Sequence, residues 1–192
     1  PSRLYPVISA PAGRRISWGR KSLLSSPWRF VPSPLQNMTL ANLLSTSQIV
    51  PEMESTEHWA AIGELVDVLV ATGKIQSEER ALVWDSIKQR EQTMSTGIGF
   101  GIAIPHASSE KVTEVVAAFG RSQTGIEFES LDGQPVFIVV LFVVPKDQFQ
   151  THLRTLAAIA KFLNDKTVRE ELSAAEDATQ ILQVFENRSP RA

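Results

Sequence analysis

Thirteen residues constrain this chain more than any others: Ser95-Thr96-Gly97-Ile98-Gly99-Phe100-Gly101-Ile102-Ala103-Ile104-Pro105-His106-Ala107. Gly97, Gly99 and Gly101 allow the backbone to approach a ligand closely and to aim amide N–H groups at it. Ser95 and Thr96 add hydroxyl donors. Pro105 fixes its own φ and biases Ile104 toward an extended conformation. The expected local structure is a glycine-rich loop, a strand over 101–104, and then a histidine held in place by the proline.

A lone histidine is more often structural than catalytic, but this context reverses that expectation for His106. The glycines and hydroxyls offer an anion site, with Ser95, Thr96, Gly97 and Gly99 as its candidate phosphoryl-binding residues. An unperturbed imidazole titrates near pH 6.5, so its neutral, nucleophilic form is abundant at neutral pH. Phosphoryl transfer needs positioning and charge stabilisation more than covalent activation, and a loop of fixed donors supplies both. The run lacks the Lys-Ser/Thr ending of a nucleotide P-loop, so an ATP site is not expected. Arg90, just upstream, has a guanidinium suited to forking two hydrogen bonds onto a phosphoryl group, although arginines near helix ends usually stay solvated. His152 belongs to the stripe Phe149, His152, Leu153, Leu156, Ile159 and Leu163, which turns it inward with the core. His58 falls in the first turn of an expected helix with no supporting motif and reads as a surface residue. Glu127 and Glu129 read as a solvated edge. The three histidines carry no metal-ligand spacing, so no metal is expected.

Around this motif the chain alternates helical and extended patterns. Leu40, Leu43 and Leu44 predict a short helix, and Gln48-Ile49-Val50 a short strand stopped by Pro51. Ser55 or Thr56 is placed to cap a helix running to about residue 72, with Ile62, Leu65, Val66 and Leu69 inward and Gly73 as its stop. Ser77 is placed to cap a further helix to about residue 92, bearing Leu82, Val83, Ile87 and Arg90. Strands are expected over 115–119 and 136–144, with Asp132-Gly133 as a hairpin turn between them. The last third reads as helices over about 147–163, 167–174 and 178–186. This alternation predicts a layered α/β domain.

Composition narrows the possibilities. There is no cysteine, which excludes disulfides, thiolate nucleophiles and cysteine-ligated metals. No apolar run approaches the roughly 18 residues that span a bilayer, so direct membrane insertion is not expected. Residues 1–37 hold six of the 19 basic residues and none of the 21 acidic ones, which leaves the rest with a net charge of −8. An acidic body argues against a nucleic-acid surface. The basic, Ser/Pro/Arg-rich segment 1–37 has no periodic apolar face, and Trp18 and Trp28 therefore give no sign of membrane-surface contact. It reads as a disordered tail, a transit sequence, or sequence upstream of a true start at Met38, and a dispensable tail or mis-set start is favoured. The domain proper is expected over 38–192.

The run S-T-G-I-G-F-G-I-A-I-P-H, ending at His106, resembles the motif around the phosphorylated histidine of phosphotransferase-system IIA domains of the fructose/mannitol/nitrogen-regulatory type. Three further features are similar to that family: the opening Met38-Thr39-Leu40-Ala41-Asn42-Leu43-Leu44, the pair Arg90-Glu91, and Thr151-His152-Leu153-Arg154-Thr155-Leu156-Ala157. The resemblance covers about residues 38–187. It implies a single domain with a mixed central sheet sandwiched between helical layers. It also implies that His106 is phosphorylated, that His152 bonds the phosphoryl group or orients the nucleophile, that Arg90 stabilises charge, and that Glu91 orients Arg90. By the same resemblance the protein is a cytoplasmic carrier without cofactor or metal. It would accept its phosphoryl group from an HPr-like phosphocarrier and pass it to a IIB domain or a regulatory target; the acidic body is compatible with docking a carrier through a basic rim. Rival expectations are a regulatory binding module controlled by phosphorylation and a non-phosphorylated interaction domain of the same fold. Ala107 leans toward the fructose type and the stand-alone domain toward the regulatory type, so the subtype stays open.

Overall fold

The computed structural model describes residues 39–188. The expected tail, residues 1–37 with Trp18 and Trp28, lies outside the described residues. Along the chain run α1 (Leu40–Leu43), β1 (Ile49–Val50), α2 (His58–Ala71), α3 (Arg80–Thr93), β2 (Gly97–Gly99), β3 (Ile102–Ala103), β4 (His106–Ser109), β5 (Val116–Ile126), β6 (Val136–Pro145), α4 (Phe149–Leu163), α5 (Lys166–Ala174) and α6 (Ala178–Arg188). One mixed sheet has the order β1-β5-β6-β3-β2. The long pair β5 and β6 is antiparallel, whereas β3 and β4 both run parallel to β6.

The continuous apolar run of β6 follows from burial on both faces. Val139, Leu141 and Val143 pack into the core that holds Ile62, Leu65 and Leu69 of α2 and Val83 and Ile87 of α3. Ile138, Val140 and Phe142 face a second core with Ile159 and Leu163 of α4, Leu172 of α5 and Phe185 of α6. The sheet therefore lies between two helical layers, as the sequence implied.

Several local expectations change. Neither Ser55 nor Thr56 caps α2; its flanking residue is Glu57, without a side-chain bond, and the Ser55 amide donates to Glu64 instead. Ser77 opens a 3-10 turn ahead of α3 and makes no cap bond. Leu82 is exposed, not inward, while Val83 and Ile87 are fully buried. The glycine loop is itself a hairpin of β2 and β3. The expected strand ahead of His106 is present as β3, and His106 itself begins a further one: β4 aligns His106–Ser109 with Phe142–Pro145 of β6. Pro105, between β3 and β4, is where the edge pairing is interrupted, because proline has no N–H to give to the ladder. Among the described residues no helix is long and apolar enough to cross a membrane, and no cluster of three or more acidic or histidine side chains could hold a metal ion.

Candidate functional site

Parallel pairing with β6 fixes the His106 backbone, and the next residue, Ala107, turns into the core under α2 and α3. Two hydrogen bonds then set the ring. Nδ1 lies 2.9 Å from the Ile104 carbonyl. Nε2 lies 3.2 Å from Arg90 Nε, which donates to it. A carbonyl only accepts and a guanidinium only donates, so Nδ1 carries the proton and Nε2 carries the lone pair. Phe149, the first residue of α4, stacks on the ring with centroids 6.5 Å apart and planes 18° apart. Burial pushes the imidazole pKa below its ordinary value, and the positive charge of Arg90 adds to that; the Ile104 bond and the Glu91 carboxylate oppose it only in part. His106 is thus a half-buried neutral imidazole whose nucleophilic nitrogen points at a cation.

Arg90 occupies the last turn of α3, and its Nη1 also donates to the Met94 carbonyl at 2.9 Å. Arg90 lines a groove of about 580 Å³ between α3 and β4, together with Leu82, Ser108, Lys111, Lys146 and Phe149. Lys146 bonds Glu110 at 2.7 Å on the rim. Arg90 and His106 are the two expected site residues that the structure brings into contact.

Ser95 and Thr96, at the start of the glycine run, bond neighbouring segments. Ser95 Oγ donates to the Phe128 carbonyl and accepts the Gly97 amide. Thr96 is 4% exposed, and its amide donates to Glu91 Oε1 at 2.7 Å. Gly97 is required by close approach: a Cβ there would lie 2.8 Å from Ser130 Cα. Gly99 has φ +91° and pairs with Ile102, which stands opposite Ile138, whereas His106 stands opposite Phe142. Four residues along a strand put the hairpin tip about 13 Å from His106. Beside that tip stands Asp132, which accepts the Phe100 amide. In this conformation Ser95, Thr96, Gly97 and Gly99 make no hydrogen bond to His106 among the described residues.

His152 is buried as expected, but no hydrogen bond or ring contact joins it to His106 among the described residues. It lies three residues after Phe149 in α4, and its Nε2 faces Gln148 Oε1 at 3.3 Å. Its Nδ1 has no hydrogen-bond partner, and burial pushes its pKa down. Leu153, expected inward, is 41% exposed. Glu91 does not brace Arg90. Adjacent helix residues diverge by about 100°, so Glu91 turns away and, 3% exposed, accepts from His58 Nε2 at 3.0 Å. Burial alone would push the Glu91 carboxyl up, but the bonds from His58 and Thr96 outweigh it and hold it below the usual range.

His58 is accordingly not a surface residue. It is 7% exposed, stacked on Trp59 at 4.7 Å and against Phe128 at 4.0 Å. Only the aromatic neighbour at 59 was a local signal for this burial. Arg121, which the sequence did not mark, is also buried; it donates to the carbonyls of Pro51, Leu172, Ser173 and Ala175 and ties β5 to α5.

The fold and site define an α/β domain that presents one neutral histidine beside an arginine on a sheet edge. Residues 42–188 match the family described as phosphoenolpyruvate-dependent sugar phosphotransferase system, EIIA 2, and the chain belongs to that family. The chain is 32% identical over 148 residues to a nitrogen regulatory protein of Bradyrhizobium diazoefficiens, covering 77% of this chain and 95% of that one. It is 37% identical over 148 residues to the fructose-specific EIIABC component of Bacillus subtilis, and there the match spans 77% of this chain but 23% of the relative. Among solved structures, the nitrogen regulatory protein IIA-Ntr of Neisseria meningitidis superposes with a TM-score of 0.69 at 29% identity, over 76% of this chain and 97% of that one. The mannitol IIA enzyme of Escherichia coli, in complex with phosphorylated mannitol IIB, shares the fold with a TM-score of 0.64 at 19% identity, over 76% and 98% of the two chains.

Proposed function

We propose that this chain is a cytoplasmic phosphocarrier that takes a phosphoryl group onto Nε2 of His106 and gives it to a second protein. The observation that carries this reading is the opposed pair of hydrogen bonds on the ring, with Nδ1–H bound to a carbonyl and the Nε2 lone pair facing Arg90. In the transfer the Nε2 lone pair forms a new P–N bond while the donor's P–N bond breaks, and the bonding pair leaves with the donor ring. The donor ring carries a proton on its other nitrogen and so leaves as neutral imidazole, while the proton on His106 Nδ1 stays bonded to Ile104 and the phosphorylated ring takes the positive charge. Arg90 gives up its bond to Nε2 and directs the guanidinium to the phosphoryl oxygens, where bonds between two charged partners are stronger than the one to a neutral imidazole that it leaves. His152, one turn behind Phe149, exchanges its bond to Gln148 for a phosphoryl oxygen.

The donor in this account is an HPr-like phosphohistidine carrier, and the acceptor is a IIB domain. The mannitol IIA and phosphorylated IIB complex, built on the same fold, supports the acceptor. A regulatory role, in which phosphorylation changes affinity for a target protein, is the second reading. It is favoured by the match over 95% of a nitrogen regulatory protein. The test is incubation with phosphoenolpyruvate, enzyme I and HPr, followed by assay of acid-labile phosphate. Incorporation that disappears in His106→Ala is expected, and incorporation that persists in that variant overturns the assignment. Transfer onward to a purified fructose-type IIB separates the carrier role from the regulatory one.

A further inference from the structure

His58, Glu91 and Thr96 form a buried polar chain in a region otherwise filled by hydrocarbon and aromatic side chains. His58 starts α2, Glu91 stands in α3, and Thr96 opens the hairpin, so the chain crosses three segments. A carboxylate only accepts, so His58 Nε2 carries a proton toward Glu91 Oε1. The same oxygen takes the Thr96 amide. From there the order of contacts leads to the nucleophile: the Thr96 carbonyl accepts the Ile104 amide at 3.0 Å, and the Ile104 carbonyl accepts His106 Nδ1–H. Buried polar groups cost free energy, and an apolar pair of similar volume would fill the same space. Placing the carboxylate here has a specific geometric result. It pins Thr96, whose carbonyl accepts the Ile104 amide.

We infer that His58 and Glu91 are a positioning dyad: the buried imidazole locks the Glu91 carboxylate onto the Thr96 amide, and so fixes the Ile104 carbonyl that selects the Nδ1–H tautomer of His106. Glu91 also follows Arg90 directly in α3, so one helix end carries both the residue that faces Nε2 and the residue that orders Nδ1. His58 Nδ1 lies 3.9 Å from Glu129 Oε2, an exposed carboxylate on a residue with φ +54°. That second carboxylate stands on the side of the ring that faces away from Glu91. Neither His58 nor Glu91 touches a phosphoryl group; both act through His106.

This inference rests on the phosphocarrier reading, and its test separates the two. The experiment measures nitrogen chemical shifts of the His106 ring in 15N-histidine-labelled full chain, together with the rate of phosphoryl uptake from phospho-HPr. His58→Leu fills the space but removes the donor; His58→Gln restores a donor. The expected result is a His106 ring that drifts toward the other tautomer in His58→Leu and returns in His58→Gln, with uptake about ten-fold slower in the first and within about three-fold of wild type in the second. If His58→Leu does not fold, Glu91→Met keeps the length, removes the acceptor and should show the same drift. A folded His58→Leu or Glu91→Met protein with wild-type His106 shifts overturns the dyad. If wild-type chain takes up no phosphate, the carrier reading fails, and the shifts alone still judge the dyad.

Discussion

Replacing Arg90 by glutamine is the most informative single perturbation of the site, because the residue has two roles that the change removes together. In the resting protein its Nε–H occupies the His106 lone pair at 3.2 Å, and its charge helps to hold the imidazole pKa down. In transfer it stabilises the phosphoryl oxygens. Loss of a charge-assisted bond in the transition state costs about 1.5–3 kcal/mol. The bond to a neutral imidazole given up on the way is worth less than one to an anionic oxygen, so uptake from phospho-HPr should slow by about ten- to a hundred-fold. The substitution also removes the positive neighbour, so the His106 pKa should rise toward its ordinary value, while burial continues to hold it lower. Rapid-quench measurement of phosphoryl uptake, paired with an NMR pH titration of the His106 ring, reads both effects on one protein. The fold should survive, because the Arg90 side chain is partly exposed and lies outside both hydrophobic cores. A folded Arg90→Gln protein with a wild-type uptake rate and an unmoved titration would refute the assigned role.

Three further outcomes are expected. His152→Gln should fold and transfer about ten-fold more slowly if His152 reaches the phosphoryl group; an unchanged rate in rapid-quench assays would leave it a buried structural residue of α4. Gly97→Ala should lower stability by about 1–3 kcal/mol in urea titration, since its Cβ meets the Ser130 backbone and the hairpin must shift; stability equal to wild type would show that β2 and the Ser130 segment part easily. The depressed His106 pKa means that the unfolded chain binds more protons than the folded one around the ordinary value of 6.5. Its contribution to stability is therefore complete above that pH and is lost as pH falls through the folded value. The Glu91 contribution follows the same sign in a lower window, present above about 4.5 and lost in stronger acid. Thermal midpoints against pH should show the upper of these two slopes reduced in His106→Gln.

How much of this was legible in the sequence depended on the range of the interactions involved. The Pro105-His106 step, the inward face of α2 and the doubly buried β6 are local patterns, and the structure follows them. Arg90 reached His106 because the helix end and the strand start are 16 residues apart and joined by one hairpin. His58 was misread because its burial is made by Glu91 and Phe128, 33 and 70 residues downstream, which no helical period reports. The glycine run suggested unoccupied amides, but Ser95, Asp132 and Ser130 use or crowd that backbone from within the hairpin and from the turn before β6. That a further strand begins at His106 comes from parallel pairing with β6, a contact across more than thirty residues. Arg121 was silent for the same reason, since its carbonyl partners lie about fifty to seventy residues away on both sides.

The central claim is that Nε2 of His106, and not Nδ1, carries the phosphoryl group. Nitrogen NMR of the chain labelled with 15N-histidine, phosphorylated by enzyme I and HPr, resolves the two ring positions directly. The account predicts one phosphohistidine, His106, with phosphorus coupling to Nε2 and a proton retained on Nδ1. Phosphorus on Nδ1, or on His152 or His58, would contradict it.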